Sequence, residues 1–165
     1  MKRVLLIFIV TFTANIYAQP SSIHEGSWLI EINTGSRTTG NTAFYYSSID
    51  GNSEWNVGAD LGYFIKDNFA LKFGFGYGHN DEEDNPFAYK LGMKWYMFGM
   101  LPLGLDFTGV SQGDFNANYL GGQLGYAWFV SDRLSLEPTL RYNVSLDKAK
   151  AKDEFQFLIG FAFHL

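Results

Sequence analysis

Apolar and aromatic residues occupy every second position of the last eleven residues, FQFLIGFAFHL. Phe155, Phe157, Ile159, Phe161, Phe163 and Leu165 alternate there with Gln156, Leu158, Gly160, Ala162 and His164. Successive side chains of a strand point to opposite faces, so this segment predicts a strand with one face that needs an apolar medium. The same period recurs over residues 27–34, 54–64, 69–78, 87–97, 101–108, 118–129 and 134–146. In 69–78, for example, Phe69, Leu71, Phe73, Phe75 and Tyr77 oppose Ala70, Lys72, Gly74, Gly76 and Gly78. No helical segment or second sheet is left over to bury these faces, and the medium that remains is lipid. Eight strands of roughly 10 residues, an even number, predict an all-β fold: an eight-stranded antiparallel up-and-down transmembrane β-barrel.

The connections alternate in character. Residues 65–68, 98–100 and 130–133 read as tight turns, whereas 35–53, 79–86, 109–117 and 147–154 read as longer polar loops. Short turns belong to the periplasmic side of such barrels and longer loops to the outside, which places both termini in the periplasm. Trp28, Tyr63, Phe69, Trp95, Trp128 and Phe163 then form one interfacial aromatic belt. Tyr45, Tyr46, Trp55, Tyr77, Phe87, Tyr119, Tyr142 and Phe155 form the other. Pro138 falls on a lipid-facing position and has no amide to give to a ladder, so a bulge or a missing bond is expected there.

Lys2 and Arg3 precede an apolar run from Val4 to Phe12, and Ala18 offers a small residue before Gln19. This reads as a cleaved signal peptide over residues 1–18, followed by a single β-barrel domain over 19–165. The run is short of the ~20 residues of a spanning helix. The absence of Cys removes both a lipoprotein anchor and disulfides as sources of stability. Aromatic residues make up 18% of the chain, yet mean hydropathy is only -0.08, because polar inward positions cancel apolar outward ones in any average. The formal charge of -5 and the lack of a Lys/Arg stripe argue against a nucleic-acid partner.

The strand pattern and the terminal Gly160-x-x-Phe163-x-Leu165 resemble the small outer-membrane β-barrel domain family of the OmpA/OmpX type. The resemblance covers residues 19–165 and implies a monomer in the outer membrane of a Gram-negative bacterium, in contact with membrane lipids and lipopolysaccharide. It also implies that Gly160, Phe163 and Leu165 present an assembly signal to the barrel-insertion machinery. Leu165 departs from the usual terminal Phe, and Leu158 stands where a polar residue is usual. Function is carried by sites grafted on a fold, so the resemblance specifies architecture rather than activity.

Chemistry, if present, lies on the inward face. The inward positions include the acids Glu31, Glu54, Asp60, Asp106 and Glu137 and the bases Lys72, Lys90, Lys94 and Arg141. In an interior just wide enough for side chains, these groups form either a paired structural network or a narrow ion path with water in the space left by glycines. No wide pore is compatible with eight strands. A catalytic role finds no support: His24 and His164 lie near the periplasmic end, and His79 is followed two positions on by Asp81, not Ser. The acidic run Asp81 to Asp84 lacks the spacing and glycine of a calcium loop and reads as solvated. No cofactor is expected. Three functions follow from these features: a non-enzymatic structural or surface-interaction barrel acting through its outer loops, a narrow channel for ions or small solutes, and a secreted lipocalin-like barrel with its aromatic faces turned inward.

Overall fold

The computed structural model describes residues 23–35 and 44–165; the expected leader lies outside the described residues. Ten strands follow in order: β1 (Trp28–Asn33), β2 (Tyr45–Ile49), β3 (Asn52–Lys66), β4 (Phe69–Asn80), β5 (Phe87–Met97), β6 (Leu101–Gln112), β7 (Phe115–Gly125), β8 (Trp128–Ser131), β9 (Leu134–Ser145) and β10 (Glu154–His164). Every pairing is antiparallel, and β1 pairs both β10 and β3, which closes the sheet.

The ten strands make an eight-stranded barrel. β1 and β2 lie along the same edge of β3, with the register jumping by ten residues between Glu31↔Asp60 and Tyr45↔Asn56. They are two parts of one barrel strand. β7 and β8 likewise share one register along β9, with Gly125↔Thr139 and Trp128↔Leu136 on either side of Tyr126 and Ala127. The interruption stands opposite Pro138. Tyr126 N–H donates to the Pro138 carbonyl at 3.1 Å, and Pro138 has no amide to return the bond. On its other side the ladder runs unbroken through Ile159↔Pro138.

Strand extends into two of the four expected long loops. Asp50 (φ 51) and Gly51 (φ 90) make a two-residue turn between Ile49 and Asn52, so β2 and β3 form a hairpin inside the expected 35–53 loop. Asp-Gly between alternating residues is the preferred sequence for such a turn, because both positions need positive φ. The expected 109–117 loop shrinks to Gly113 and Asp114, since β6 and β7 remain paired as far as Gln112↔Phe115. Longer connections persist between β4 and β5 and between β9 and β10.

Outward positions carry the aromatic and aliphatic side chains: Phe73, Phe75, Leu91, Leu105, Phe157 and Phe161 are all about half exposed to the surroundings of the barrel. Trp28 and Tyr63 lie beside one another at the turn end, their rings tilted with centroids 5.0 Å apart. Tyr119 departs from the expected belt: it points inward and is buried. Its position in β7 is odd-numbered among even-numbered outward residues, and the pleat overrides the affinity of a phenol ring for an interface.

The interior has three layers. At the turn end, Ile23, Leu29, Phe64, Ala70, Tyr96, Ala127 and Ala162 form an apolar cluster against Phe129. Ile23 belongs to the segment before β1, and its carbonyl accepts from Asn68 N–H at 2.8 Å, which fixes that segment across the turn end. At the loop end, Ala88, Val110, Ala117 and Tyr119 form a second cluster beneath Ala151 of the last loop. Charged side chains fill the space between.

Candidate functional site

The middle layer draws on most of the strands. Glu31 on β1 pairs with both Lys72 on β4 and Lys94 on β5. Asp60 on β3 accepts from Lys72 at 3.1 Å and from Lys90 at 3.1 Å. Lys94 also reaches Glu137 Oε2 at 2.5 Å and lies 4.8 Å from the centroid of the Tyr96 ring. Across the barrel, Arg141 makes two bonds to Asp106, each 2.6 Å, and a third to Gln123 Oε1 at 3.2 Å. Thr108 Oγ1 donates to Asp106 at 2.9 Å. Lys72, Lys90, Lys94, Arg141, Glu31, Asp60 and Glu137 are all less than 10% exposed.

Among the sequence-predicted residues, the structure brings together Glu31, Asp60, Lys72, Lys90, Lys94 and Glu137 in one cluster, with Asp106 and Arg141 as a neighbouring pair. Glu54 is separate. It stands on the β2–β3 hairpin opposite Ser47 and Asn80, with Asn56 and Gly58 between it and Asp60 on the same face. Without Glu54 the layer contains four acids and four bases, so its charges balance. Low-dielectric surroundings allow buried charges only when they are paired in this way.

Gly121 and Gly74 give their space to these side chains. A Cβ at Gly121 would lie 2.1 Å from an Arg141 nitrogen, and one at Gly74 would lie 2.0 Å from Asp60 Oδ1. One small interior cavity, lined by Glu31, Lys72, Lys94, Gln123, Glu137 and Leu158 among others, measures about 20 Å³. That is room for one water.

Below the charges, an aromatic cap had no separate signal in the sequence, because its members simply follow the inward parity of their strands. His164 is its centre, with ring centroids at 5.1 Å from Phe129, 5.7 Å from Tyr96 and 6.3 Å from Phe64. Tyr96 and Ser135 both donate to Glu137 Oε1, at 2.9 and 2.8 Å. The Ser135 hydroxyl proton is thereby committed, and Ser135 Oγ accepts from His164 Nε2 at 3.0 Å. His164 Nδ1 is buried and makes no hydrogen bond.

At the loop end, Asp81 Oδ2 accepts from Ser53 N–H at 2.6 Å and from Ser53 Oγ at 2.8 Å. These bonds, with a contact from His79 Nε2 to Oδ1 at 3.2 Å, hold the Asp81 carboxyl below its ordinary pKa. His79 Nδ1 meets Asn85 Oδ1 at 2.8 Å. Asn52 bonds Glu82, and Gln112 bonds Glu83 at 2.9 Å. The acidic loop is therefore a clasp between the β2–β3 hairpin and β6. In the last loop, Lys148 and the Ser145 amide hold Asp153 below its ordinary pKa.

At the C-terminus, Gly160 pairs with Asn33 and Phe163 with Ile30, and Leu165 exchanges backbone bonds with Trp28 at 2.8 and 2.9 Å. β-Pairing thus continues to the final residue.

These features define a class: a small outer-membrane-type β-barrel with apolar residues outside and a compact polar interior. A family model described as "Putative MetA-pathway of phenol degradation" matches residues 7–98, and the chain belongs to that family. The N-terminal β-barrel domain of Pseudomonas aeruginosa OprF is similar in fold, with a TM-score of 0.51 and 17% identity over 84% of this chain and 97% of that domain. A de novo designed transmembrane β-barrel aligns over 86% of this chain and 97% of its own at 18% identity, with a TM-score of 0.49. No curated protein matches the chain.

Proposed function

We propose that the protein is a non-enzymatic barrel of the bacterial outer membrane, monomeric, with a structural or surface-contact role exercised through the 44–51, 81–86 and 146–153 connections. The observation that carries this reading is the interior: a balanced, mutually paired charge layer with an apolar cluster toward each end. A channel for ions or small solutes needs a continuous wet path, and a cavity of about 20 Å³ does not supply one. The family description names phenol degradation, but that space holds no aromatic ring, so passage of a phenol through the lumen is not supported. The lipocalin-like alternative needs its rings inside, whereas Phe73, Phe75 and Phe157 face outward.

Because the chain has no Cys, single engineered thiols report sidedness cleanly. Asp84→Cys in the β4–β5 loop is expected to react with a membrane-impermeant maleimide on intact cells. Asp132→Cys, at the opposite rim, is expected to react only after the outer membrane is opened. The reverse pattern would overturn the topology and with it the surface role.

A further inference from the structure

The connection between β9 and β10 folds over the mouth of the barrel at the loop end. Leu146 N–H donates to the Asn118 carbonyl at 2.8 Å, and the Asp147 carbonyl accepts from Lys150 and Ala151 N–H, each at 2.9 Å. This single helical turn brings Ala151 onto the cluster of Ala88, Val110, Ala117 and Tyr119, which belongs to β5, β6 and β7. β5 lies three strands away from β9, so the turn leans well across the opening. Ala and Val supply most of the surface it rests on, and such small side chains bury little apolar area. The packing alone therefore holds the turn weakly.

Two carboxylates tie it down. Asp147 Oδ2 accepts from Asn118 N–H at 3.2 Å and fastens the start of the turn to β7. Asp153 Oδ1 accepts from Ser145 N–H at 2.9 Å and pairs with Lys148, while the Tyr142 hydroxyl reaches Oδ2 at 3.5 Å. Asp153 stands at the far end of the connection and Ser145 and Lys148 at its beginning, so this one side chain closes the loop on itself. The charged groups of the connection are Asp147, Lys148, Lys150, Lys152 and Asp153. The titratable groups that face it from the strands are Tyr142 on β9, Tyr119 on β7 and Glu154 on β10, with Tyr119 in the field of Glu154 and Asp147.

We propose that residues 146–153 are a lid on the loop-end mouth, latched by Asp153, which lifts in acid and uncovers Ala88, Val110, Ala117 and Tyr119. The bonds from Lys148 and the Ser145 amide favour the ionised carboxylate and hold it below its ordinary pKa. The latch is therefore complete above the unfolded carboxylate value of 3.8 and is lost as pH falls through the lower folded value. Acid then changes the face that this connection presents, a regulation that rests on the surface role proposed above.

The test places one thiol beneath the lid of the full chain, folded in detergent micelles where both ends of the barrel are accessible and sidedness does not enter. Ala117, only 1% exposed, carries it as Ala117→Cys, and Val110→Cys is an independent second position. Asp114→Cys, exposed at the β6–β7 tip, gives the reference rate, and Ala162→Cys, buried at the turn end, reports unfolding. The probe is dithiodipyridine, which reacts with thiols in acid. Between about pH 6 and about pH 2.5, the rate at Ala117→Cys relative to the reference is expected to rise about fivefold, the upper end for loss of an exposed ion pair. Val110→Cys is expected to follow it while Ala162→Cys stays unreactive. Adding Asp153→Asn is expected to give the raised ratio at neutral pH and to remove the acid step. A step that persists unchanged in Asp153→Asn would overturn the latch. A ratio independent of pH at both positions would overturn the lid, and so would a parallel rise at Ala162→Cys, which means unfolding. Labelling of Asp84→Cys on intact cells judges the surface role separately.

Discussion

Arg141 and Asp106 show what a narrow barrel does to charge. The pair is bidentate, Arg141 is 1% exposed, and Gly121, the ladder partner of Asp106, leaves space that the guanidinium occupies. Removing one partner leaves the other buried without compensation, which costs about 3–5 kcal/mol. Arg141→Met is therefore expected to lower the stability of the folded barrel by that amount in urea titrations in vesicles. Arg141→Met with Asp106→Asn is expected to recover a large part of it. Equal losses in the single and double variants would mean that the pair is not coupled. Gly121→Ala should cost about 1–3 kcal/mol, because a Cβ 2.1 Å from the guanidinium forces it off Asp106. The inward parity of these residues was legible from alternation alone. Their pairings were not, since which residues meet across the lumen depends on the stagger of strands around the barrel, a property of closure rather than of any one segment.

The elements differ in how firmly they are held. Among the described residues, β10 meets β9 through ten paired positions and meets β1 through five, which the Trp28–Leu165 and Thr34–Ile159 backbone bonds flank. Ile32 and Phe161 are direct outward neighbours across the closing seam of β1 and β10. In a chain without Cys, Ile32→Cys with Phe161→Cys is expected to form a disulfide on oxidation of the folded protein, visible as a mobility change on a non-reducing gel. Failure to cross-link would mean that the seam is not paired as described. The clasp of Ser53 and Asp81 responds to acid. Its bonds hold the Asp81 carboxyl below its ordinary value, so their contribution is present above the unfolded carboxylate pKa of 3.8 and is lost as pH falls through the lower folded value. Hydrogen exchange at the Ser53 amide should accelerate below about pH 4 beyond its intrinsic pH dependence, and in Ser53→Ala the acid step should shrink. The strands inside the membrane were readable because lipid and lumen impose opposite chemistry on alternate residues. The β2–β3 and β6–β7 tips were not read as strands, because Ser47, Ser48, Asn52, Ser53, Ser111, Gln112 and Asn116 stand where water meets both faces and alternation fades. The Asp50-Gly51 pair was the one local signal that marked the first of these hairpins.

At the scale of the molecule, the barrel is stratified: an aromatic cap around His164, a neutralised charge layer, and a second apolar cluster under Ala151. Since four acids meet four bases inside, the formal charge of -5 arises from residues outside that layer. The aromatic cap was missed in the sequence because Phe64, Tyr96 and Phe129 are apolar residues on the polar side of their strands, and a periodicity count registers them only as noise. The proposed structural role implies a lumen closed to ions. Conductance of the purified protein in a planar bilayer tests it most directly, with insertion verified by the heat-modifiable gel mobility of the same preparation. The structure predicts a baseline indistinguishable from the protein-free membrane. Reproducible unitary steps that scale with salt, and whose ion selectivity changes in Lys90→Glu, would contradict it.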